Sequence, residues 1–367
     1  MPHPARPLAH RLLSTSALLA AASCGGGGGD GPTTPTPPGA TTGALVLNIT
    51  GLPSDRTPAV QVTGPGGFSR AVTAAGTLTG LAPGSYTVAP ARVSDVGLAY
   101  AGDTTTVTVA AGAQASGAVT YKLRVLPRGT ANRADENALA KVRLLYVLPS
   151  DGADRQLDTD GTIARTVSSW ERWFASQAGG RYLRLDTSDG ALDVTFVRLA
   201  RSDAQMASYG DFLRDSLEKQ LGQLGQLGAA NTLVLAYYDG THQTRCGSAA
   251  SPPGLPGVVA GVYLKGLPNS SFPCAQNPFA ASPAAAPGYL EFVAAHEALH
   301  LMGIVSAGAP NYIPGGHVGN DPTDLMYAGN LAWRPATLDV TKTNYYNPAG
   351  LPSGRVNLSA SPYLTQP

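Results

Sequence analysis

The chain of 367 residues has few charged side chains, and this scarcity already excludes some functions. Only 13% of its residues are charged, and 25 basic groups against 24 acidic groups leave a formal net charge of +1. A protein that binds nucleic acid neutralises phosphates with a clear excess of Lys and Arg on one face. We therefore expect no nucleic-acid partner.

Several other sequence features are missing. No stretch after residue 24 has the ~18 apolar residues that a membrane span requires. The sequence has no Gly-x-Ser-x-Gly turn, no phosphate-binding P-loop and no cysteine in the setting of a catalytic nucleophile. Any enzymatic chemistry must therefore come from other groups.

The first residues have the composition of a targeting segment. Basic residues precede a short apolar stretch, and the run 21–24, AASC, resembles the lipobox of bacterial lipoproteins. We predict a lipoprotein-type signal peptide at 1–23 and lipidation of Cys24, with simple cleavage and secretion as the alternative. The protein would then be extracytoplasmic, and the lipid anchor would be its contact with the membrane.

Residues 24–43 are rich in Gly, Pro and Thr, and they are predicted to form a tether. Residues 44–122 contain six or seven short runs of alternating apolar and polar residues, separated by turns with Gly or Pro. This pattern predicts a small all-β sandwich. The segment 80–88, GLAPGSYTV, resembles a turn and strand of carboxypeptidase-regulatory-like and related Ig-like modules.

The pattern changes near residue 138, where strand-like and helix-like segments begin to alternate. The runs 142–149 and 231–240 are typical of buried strands, and 181–199 predicts a hairpin. A second domain of α/β type is therefore predicted at 138–367. Two cysteines, Cys246 and Cys274, lie in this exported domain without CxxC spacing, so we expect a disulfide between them.

The most specific pattern is His296-Glu297-Ala298-Leu299-His300, within a predicted helix. Side chains at positions i and i+4 lie on one helix face, so the two imidazoles can bind one metal ion. Glu297 lies beside them, where it can accept a proton from a water on the metal. The alternative is a pair of surface histidines on an ordinary helix. A catalytic zinc takes three protein ligands, so a further ligand is needed.

The run 296–303, HEALHLMG, followed by a downstream His and by DLMY at 324–327, resembles the metzincin branch of zinc metallopeptidases. The resemblance implies a zincin-like fold for 138–367, one catalytic Zn²⁺ and a methionine turn at Met326 below the metal. It also implies that a peptide or protein substrate binds as an extended strand along the edge of the sheet. Gly303 would end the helix, as the glycine of the family does.

The third ligand departs from the common metzincin pattern. The position three residues after the glycine is Ser306, and a serine hydroxyl is a poor zinc ligand. We expect His317 to complete the site. Asp321 and Asp324 are alternatives, either as ligands or as groups that hold a ligating histidine. Tyr327 is a candidate contact to the transition state, although packing is the simpler interpretation.

These features predict a zinc-dependent endopeptidase that hydrolyses peptide bonds with a water activated by Glu297. The alternative is a non-catalytic binding lipoprotein at the cell surface, with a structural or relic zinc site. The presence of Glu297 between the two histidines favours the enzyme, because a relic has no need of it. His242 follows a predicted strand and is interpreted as a solvent-exposed loop residue, with a contact to the substrate as the alternative. The sequence does not indicate the native substrate or the oligomeric state.

Overall fold

Alternating apolar and polar residues form strands throughout the N-terminal part of the chain. The computed structural model describes residues 41–266, Cys274 and 286–365. The predicted signal peptide, Cys24 and nearly all of the tether lie outside these residues. The strands before residue 124 are β1 (Gly43–Thr50), β2 (Val60–Gly64), β3 (Phe68–Val72), β4 (Gly76–Leu81), β5 (Gly84–Pro90), β6 (Val93–Asp95), β7 (Leu98–Ala101), β8 (Thr105–Val109), β9 (Gln114–Thr120) and β10 (Lys122–Leu123).

Two of the sheets made by these strands share one core. One has the order β4-β1-β9 and the other has the order β3-β2-β5-β8. Leu45 and Leu47 of the first sheet and Val62 and Tyr86 of the second belong to a single buried cluster. Because every second side chain of a strand points to the same face, these residues form the apolar inner layer.

The rest of the described chain combines strands and helices. The strands are β11 (Lys141–Leu148), β12 (Thr187–Ser188), β13 (Ala191–Leu192), β14 (Val194–Arg198), β15 (Thr232–Thr241), β16 (Gly247–Ser251), β17 (Leu255–Lys265), β18 (Tyr312–Ile313) and β19 (His317–Val318). The helices are α1 (Thr162–Gln177), α2 (Asp203–Ala207), α3 (Leu213–Gln223) and α4 (Tyr289–His300). Among the described residues, no helix has the length and apolar character to cross a membrane.

The central sheet has five strands in the order β14-β11-β15-β17-β16. The first four are parallel, and β16 is antiparallel at the edge. Leu144 and Tyr146 of β11 belong to the cluster that contains α1 and α4, whereas Leu145 and Val147 belong to the cluster that contains α3. Helices therefore cover both faces, as is usual for a parallel sheet.

The predicted hairpin at 181–199 is only partly correct. The turn at 188–190 does connect two strands, but these are the short β12 and β13. The following segment, β14, pairs in parallel with β11 in the central sheet instead. This pairing buries Val194 and Val197 between the sheet and its neighbours, which a two-stranded hairpin does not do.

Ion pairs connect the sandwich strands with the second part of the chain. Arg172 of α1 donates to Asp95 and Asp55 at 2.6 Å each, and Arg92 donates to Asp189 at 2.9 Å. The described residues belong to one compact unit. The division into 44–122 and 138–367 stays a prediction from the sequence pattern.

Glu171 of α1 gives a testable effect of pH on stability. Its carboxyl is fully buried, Oε2 accepts a hydrogen bond from Leu183 N, and Oε1 has no hydrogen-bond partner among the described residues. Burial raises the pKa of Glu171 well above its usual value. The folded state therefore holds this proton more tightly than the unfolded state, so stability should fall as the pH rises above about 4.3.

We predict that Glu171→Gln removes this loss, because the amide oxygen still accepts from Leu183 N and carries no charge. Urea unfolding at pH 4 and pH 8 measures the effect. The variant should exceed the original protein in stability at pH 8, and the difference should shrink at pH 4. Glu136→Gln, at an exposed glutamate, is the control. An equal difference at both pH values would show that ionisation of Glu171 is not the cause.

Candidate metal centre

The last turn of α4 carries two of the predicted metal ligands. His296 and His300 are both buried, one helical turn apart. The helix ends before Gly303, which has a positive φ of 72°. A Cβ at this position would lie 2.7 Å from Pro252 O, so a larger residue has no room. This glycine therefore turns the chain out of α4 and back towards the edge of the sheet.

The short hairpin of β18 and β19 brings His317 to the same place. Ile313 pairs with His317, and Gly315 and Gly316 make the turn between them with positive φ. A Cβ on Gly316 would lie 2.8 Å from Ser251 Oγ and 3.3 Å from His300 Nδ1. The hairpin therefore packs directly on α4, and glycine permits this close approach.

The three imidazoles converge through their Nε2 atoms. His300 Nε2 lies 3.0 Å from His296 Nε2 and 3.0 Å from His317 Nε2. Nitrogen atoms bound tetrahedrally to zinc at 2.0–2.1 Å would be about 3.3 Å apart. Within the described part of the chain, no other group of three or more His, Cys, Asp or Glu side chains is placed to hold a metal ion. The donor set and spacing fit one Zn²⁺, for which the three histidines would supply three ligands.

Burial controls the protonation of these groups. It lowers the pKa of His296 to about 3, and it also lowers the pKa values of His300 and His317. All three rings are therefore neutral near pH 7, which is the form that binds metal. Burial also raises the pKa of Glu297 to about 8, and the positive charge of Arg245 opposes this rise. A divalent cation at the three histidines would further favour the ionised carboxylate.

Edge strand β16 passes directly over Glu297. A Cβ on Gly247, the first residue of β16, would lie 2.6 Å from Glu297 Cγ and 2.6 Å from Oε1. Glycine is therefore required for the strand to approach the carboxyl. The predicted disulfide is confirmed, because Cys246 and Cys274 are joined. It fixes the start of β16 beside the histidines.

A turn around Met326 supports the histidines from the other side. His296 Nδ1 lies 2.7 Å from Leu325 O, and this contact places the donor proton on Nδ1 and leaves Nε2 free for a metal. Met326 is fully buried, and its carbonyl accepts from Val318 N at 2.9 Å. The turn therefore contacts both the helix of His296 and the strand of His317.

Asp324 holds this turn in place. One carboxylate oxygen accepts from Met326 N at 2.9 Å and from Tyr345 OH at 2.7 Å, and the other accepts from Val340 N at 2.9 Å. The side chain is fully buried, and burial raises its pKa to about 6. These bonds orient the turn whose carbonyl contacts His296, so the geometry favours the supporting role over the ligand role for Asp324.

Asp321 and Tyr327 both form hydrogen bonds to residues close to them in the sequence. Asp321 accepts from Thr323 N and from Thr323 Oγ1, and these bonds lower the pKa of its carboxyl. It makes a local turn and does not belong to the metal-binding group. Tyr327 is buried, and its hydroxyl accepts from Leu331 N at 2.9 Å. This arrangement agrees with the packing interpretation of Tyr327.

Sequence reasoning was wrong about His242 and missed two neighbours of the site. His242 is buried and stacks on Tyr263, with ring centroids 4.8 Å apart. No sequence motif marks Gly247 or Arg245 as a neighbour of the site. The signal that the chain does offer is their position next to Cys246, a cysteine that we expected to be bridged.

A cleft of about 1080 Å³ opens beside the histidines. Its walls are β16, the turn from β16 to β17, and the β18–β19 hairpin. Glu297, His300 and His317 lie in its lining, so a molecule that enters the cleft reaches the proposed metal and the carboxyl together.

No family model and no curated protein matches the sequence. Some solved structures are similar in part. Archaemetzincin from Methanopyrus kandleri is 16% identical over 56% of this chain and 86% of its own, with a TM-score of 0.25. The minor pilin GBS52 of Streptococcus agalactiae is 14% identical over 24% of this chain, with a TM-score of 0.20. A chaperone–substrate complex is 11% identical over 81% of this chain and 38% of its own, with a TM-score of 0.27.

The match spans about half, 48%, of the pilin's length. All three similarities are weak, and the interpretation of the site rests on its own geometry.

We predict that Asp324→Ala lowers the affinity for Zn²⁺ about 10–100-fold, although Asp324 is not a ligand, because His296 loses its fixed orientation. Competition with a chromogenic chelator measures this affinity. Tyr345→Phe, which removes one hydrogen bond to Asp324, should have a smaller effect in the same direction. Asp321→Ala is the control and should bind Zn²⁺ normally. Loss of zinc from the Asp321 variant would instead identify Asp321 as a ligand.

Proposed function

We propose that the protein is a zinc-dependent endopeptidase whose site consists of His296, His300, His317 and Glu297. The observation that carries this proposal is the convergence of three neutral imidazoles, at 3.0 Å, beside a buried carboxyl that faces an open cleft. Zinc held by three histidines acts as a Lewis acid and lowers the pKa of water to about 7. The other parts of the mechanism belong to the chain itself.

Glu297 is the general base in this proposal. Its carboxylate accepts a proton from the attacking water and passes it to the nitrogen of the leaving amine. Gly247 lies against the carboxyl and excludes solvent from one side of it. This contact also restricts the side chain of Glu297, which lies in the lining of the cleft.

The shape of the edge strand supports a peptide as the substrate. β16 is the last strand of the sheet among the described residues, and it pairs with β17 along one side. Its residues Gly247–Ser251 are all small, with the sequence GSAAS. An extended peptide can therefore approach the free edge and add to the sheet by main-chain hydrogen bonds. The proposal includes a lipid anchor at Cys24.

We predict that Glu297→Ala abolishes peptide hydrolysis and retains the zinc. Loss of a general base costs roughly 10²–10⁴ in rate. His317→Ala should lose both zinc and hydrolysis, because only two ligands remain. The measurements are the zinc content after dialysis and the cleavage of a mixed peptide library, followed by mass spectrometry. Glu136→Ala, at an exposed glutamate, is the control for Glu297→Ala.

The alternative, a non-catalytic binding lipoprotein, gives a different result in the same experiment. The zinc-loaded original protein would then cleave no peptide of the library, and Glu297→Ala would leave its properties unchanged. Full zinc content in His317→Ala would contradict the assignment of the third ligand.

A further inference from the structure

One fully charged cation, Arg245, lines the cleft among the residues that the structure describes. Glu297 is the other charged group of the described lining, which otherwise consists of histidines and of small, apolar or uncharged polar residues. The side chain of Arg245 is 52% exposed. A molecule bound in the cleft therefore meets one accessible positive charge.

The main chain of Arg245 is held in place by its neighbours. Arg245 N donates to His242 Nδ1 at 3.1 Å, and His242 itself is buried. The residue after Arg245 is Cys246, and its carbonyl accepts from Tyr263 N at 2.7 Å. The disulfide to Cys274 is a second constraint on Cys246. The guanidinium thus extends from a fixed point of the fold.

Arg245 and Glu297 line the same cleft. Arg245 lies two residues before Gly247, the first residue of β16, and the Cβ position of Gly247 is 2.6 Å from Glu297 Cγ. A bend at Cys246 separates Arg245 from the strand. The guanidinium therefore lies at the end of β16 that is next to Glu297.

Arg245 forms an ion pair that a ligand can replace. Its Nη2 lies 3.2 Å from Asp211 Oδ1, and the Asp211 side chain is 67% exposed. Ion pairs between exposed side chains contribute little to stability, because water and salt screen them. A carboxylate that enters the cleft can therefore take the place of Asp211 at little cost.

We propose that Arg245 is a specificity-determining residue that binds a carboxylate of the peptide substrate. This inference rests on the proposed peptidase function. The guanidinium group offers two parallel N–H donors that match a carboxylate. A peptide that pairs antiparallel with β16 runs from Ser251 towards Arg245. The carboxylate then lies on the C-terminal side of the bond that is cut, either in an Asp or Glu side chain or at the end of the peptide.

Peptide binding tests this proposal without relying on turnover. The full chain, loaded with zinc and carrying Glu297→Gln, is titrated with fluorescein-labelled peptides. Two matched pairs distinguish the sources of the carboxylate: an internal Asp against Asn, and a free C-terminal carboxylate against its amide. We expect the acidic member of at least one pair to bind about three- to tenfold more tightly, and high salt should reduce this ratio.

The variants assign the preference to one residue. Arg245→Gln should bring the ratio to about one. Arg245→Lys should keep only part of the preference, because an ammonium group lacks the two parallel N–H donors of the guanidinium. Asp211→Asn should keep or increase the ratio. Arg70→Gln, an equal charge change on the sandwich strand β3, should leave it unchanged. An unchanged ratio in Arg245→Gln, or no preference before mutation, would overturn the proposal.

Failure of the peptidase function gives a separate result. If the protein with Glu297 intact hydrolyses none of the peptides, the proposed function is wrong, and the binding ratio still decides the role of Arg245. If hydrolysis occurs, the ratio of kcat/KM values for each peptide pair should follow the binding ratio in every variant of Arg245.

Discussion

The contact between His296 Nδ1 and Leu325 O, at 2.7 Å, joins the two parts of the chain that make the metal centre. His296 belongs to a regular helix that is buried against the central sheet, whereas Leu325 belongs to a long segment with little regular structure. This one hydrogen bond fixes the tautomer of the ring and its direction. The approach of His317 depends on the same turn, because Val318 N donates to Met326 O.

Buried carboxylates take the place of regular secondary structure in this segment. Asp324 accepts from two backbone N–H groups and from Tyr345 OH. Asp339 accepts from the backbone N–H groups of Asn344, Tyr345 and Tyr346, and it is also fully buried. Backbone donors that are buried outside helices and strands need such partners. The polar side chains therefore determine the path of the chain below the site.

The sequence predicted the parts of the structure that depend on local spacing. The positions of His296 and His300 follow from the helical repeat, and the buried strand β11 follows from its apolar run. The predicted pairing of β14 in a local hairpin is wrong. Whether this strand pairs with its neighbour in sequence or in parallel with β11 depends on burial by distant segments. The local pattern does not distinguish a ligand role from a supporting role for Asp324, since its partners Val340 and Tyr345 are far away in the sequence.

Arg245 and Gly247 show a different limit of sequence reasoning. Their importance comes from the approach of β16 to α4, and nothing in the local pattern records that distance. Glycine at 247 is explained only when Glu297 is placed 2.6 Å from its Cβ position. The interpretation of His242 as solvent-exposed is wrong for the same reason, because its ring stacks on Tyr263, which belongs to the distant strand β17.

Helix α1 connects the sandwich strands with the helix that carries the histidines. Arg172 of α1 donates to the buried Asp95 of β6, and the next residue, Trp173, packs edge-to-face on Phe292 of α4 at 5.0 Å. Two adjacent residues of α1 thus contact different parts of the molecule, Arg172 the sandwich strands and Trp173 the helix α4. Asp95 is buried and also accepts from Arg56 Nε at 2.7 Å, so each of its carboxylate oxygens is paired with a guanidinium group. The ion pairs therefore hold α1 against the sandwich strands, and α1 in turn packs on α4 through Trp173 and Phe292.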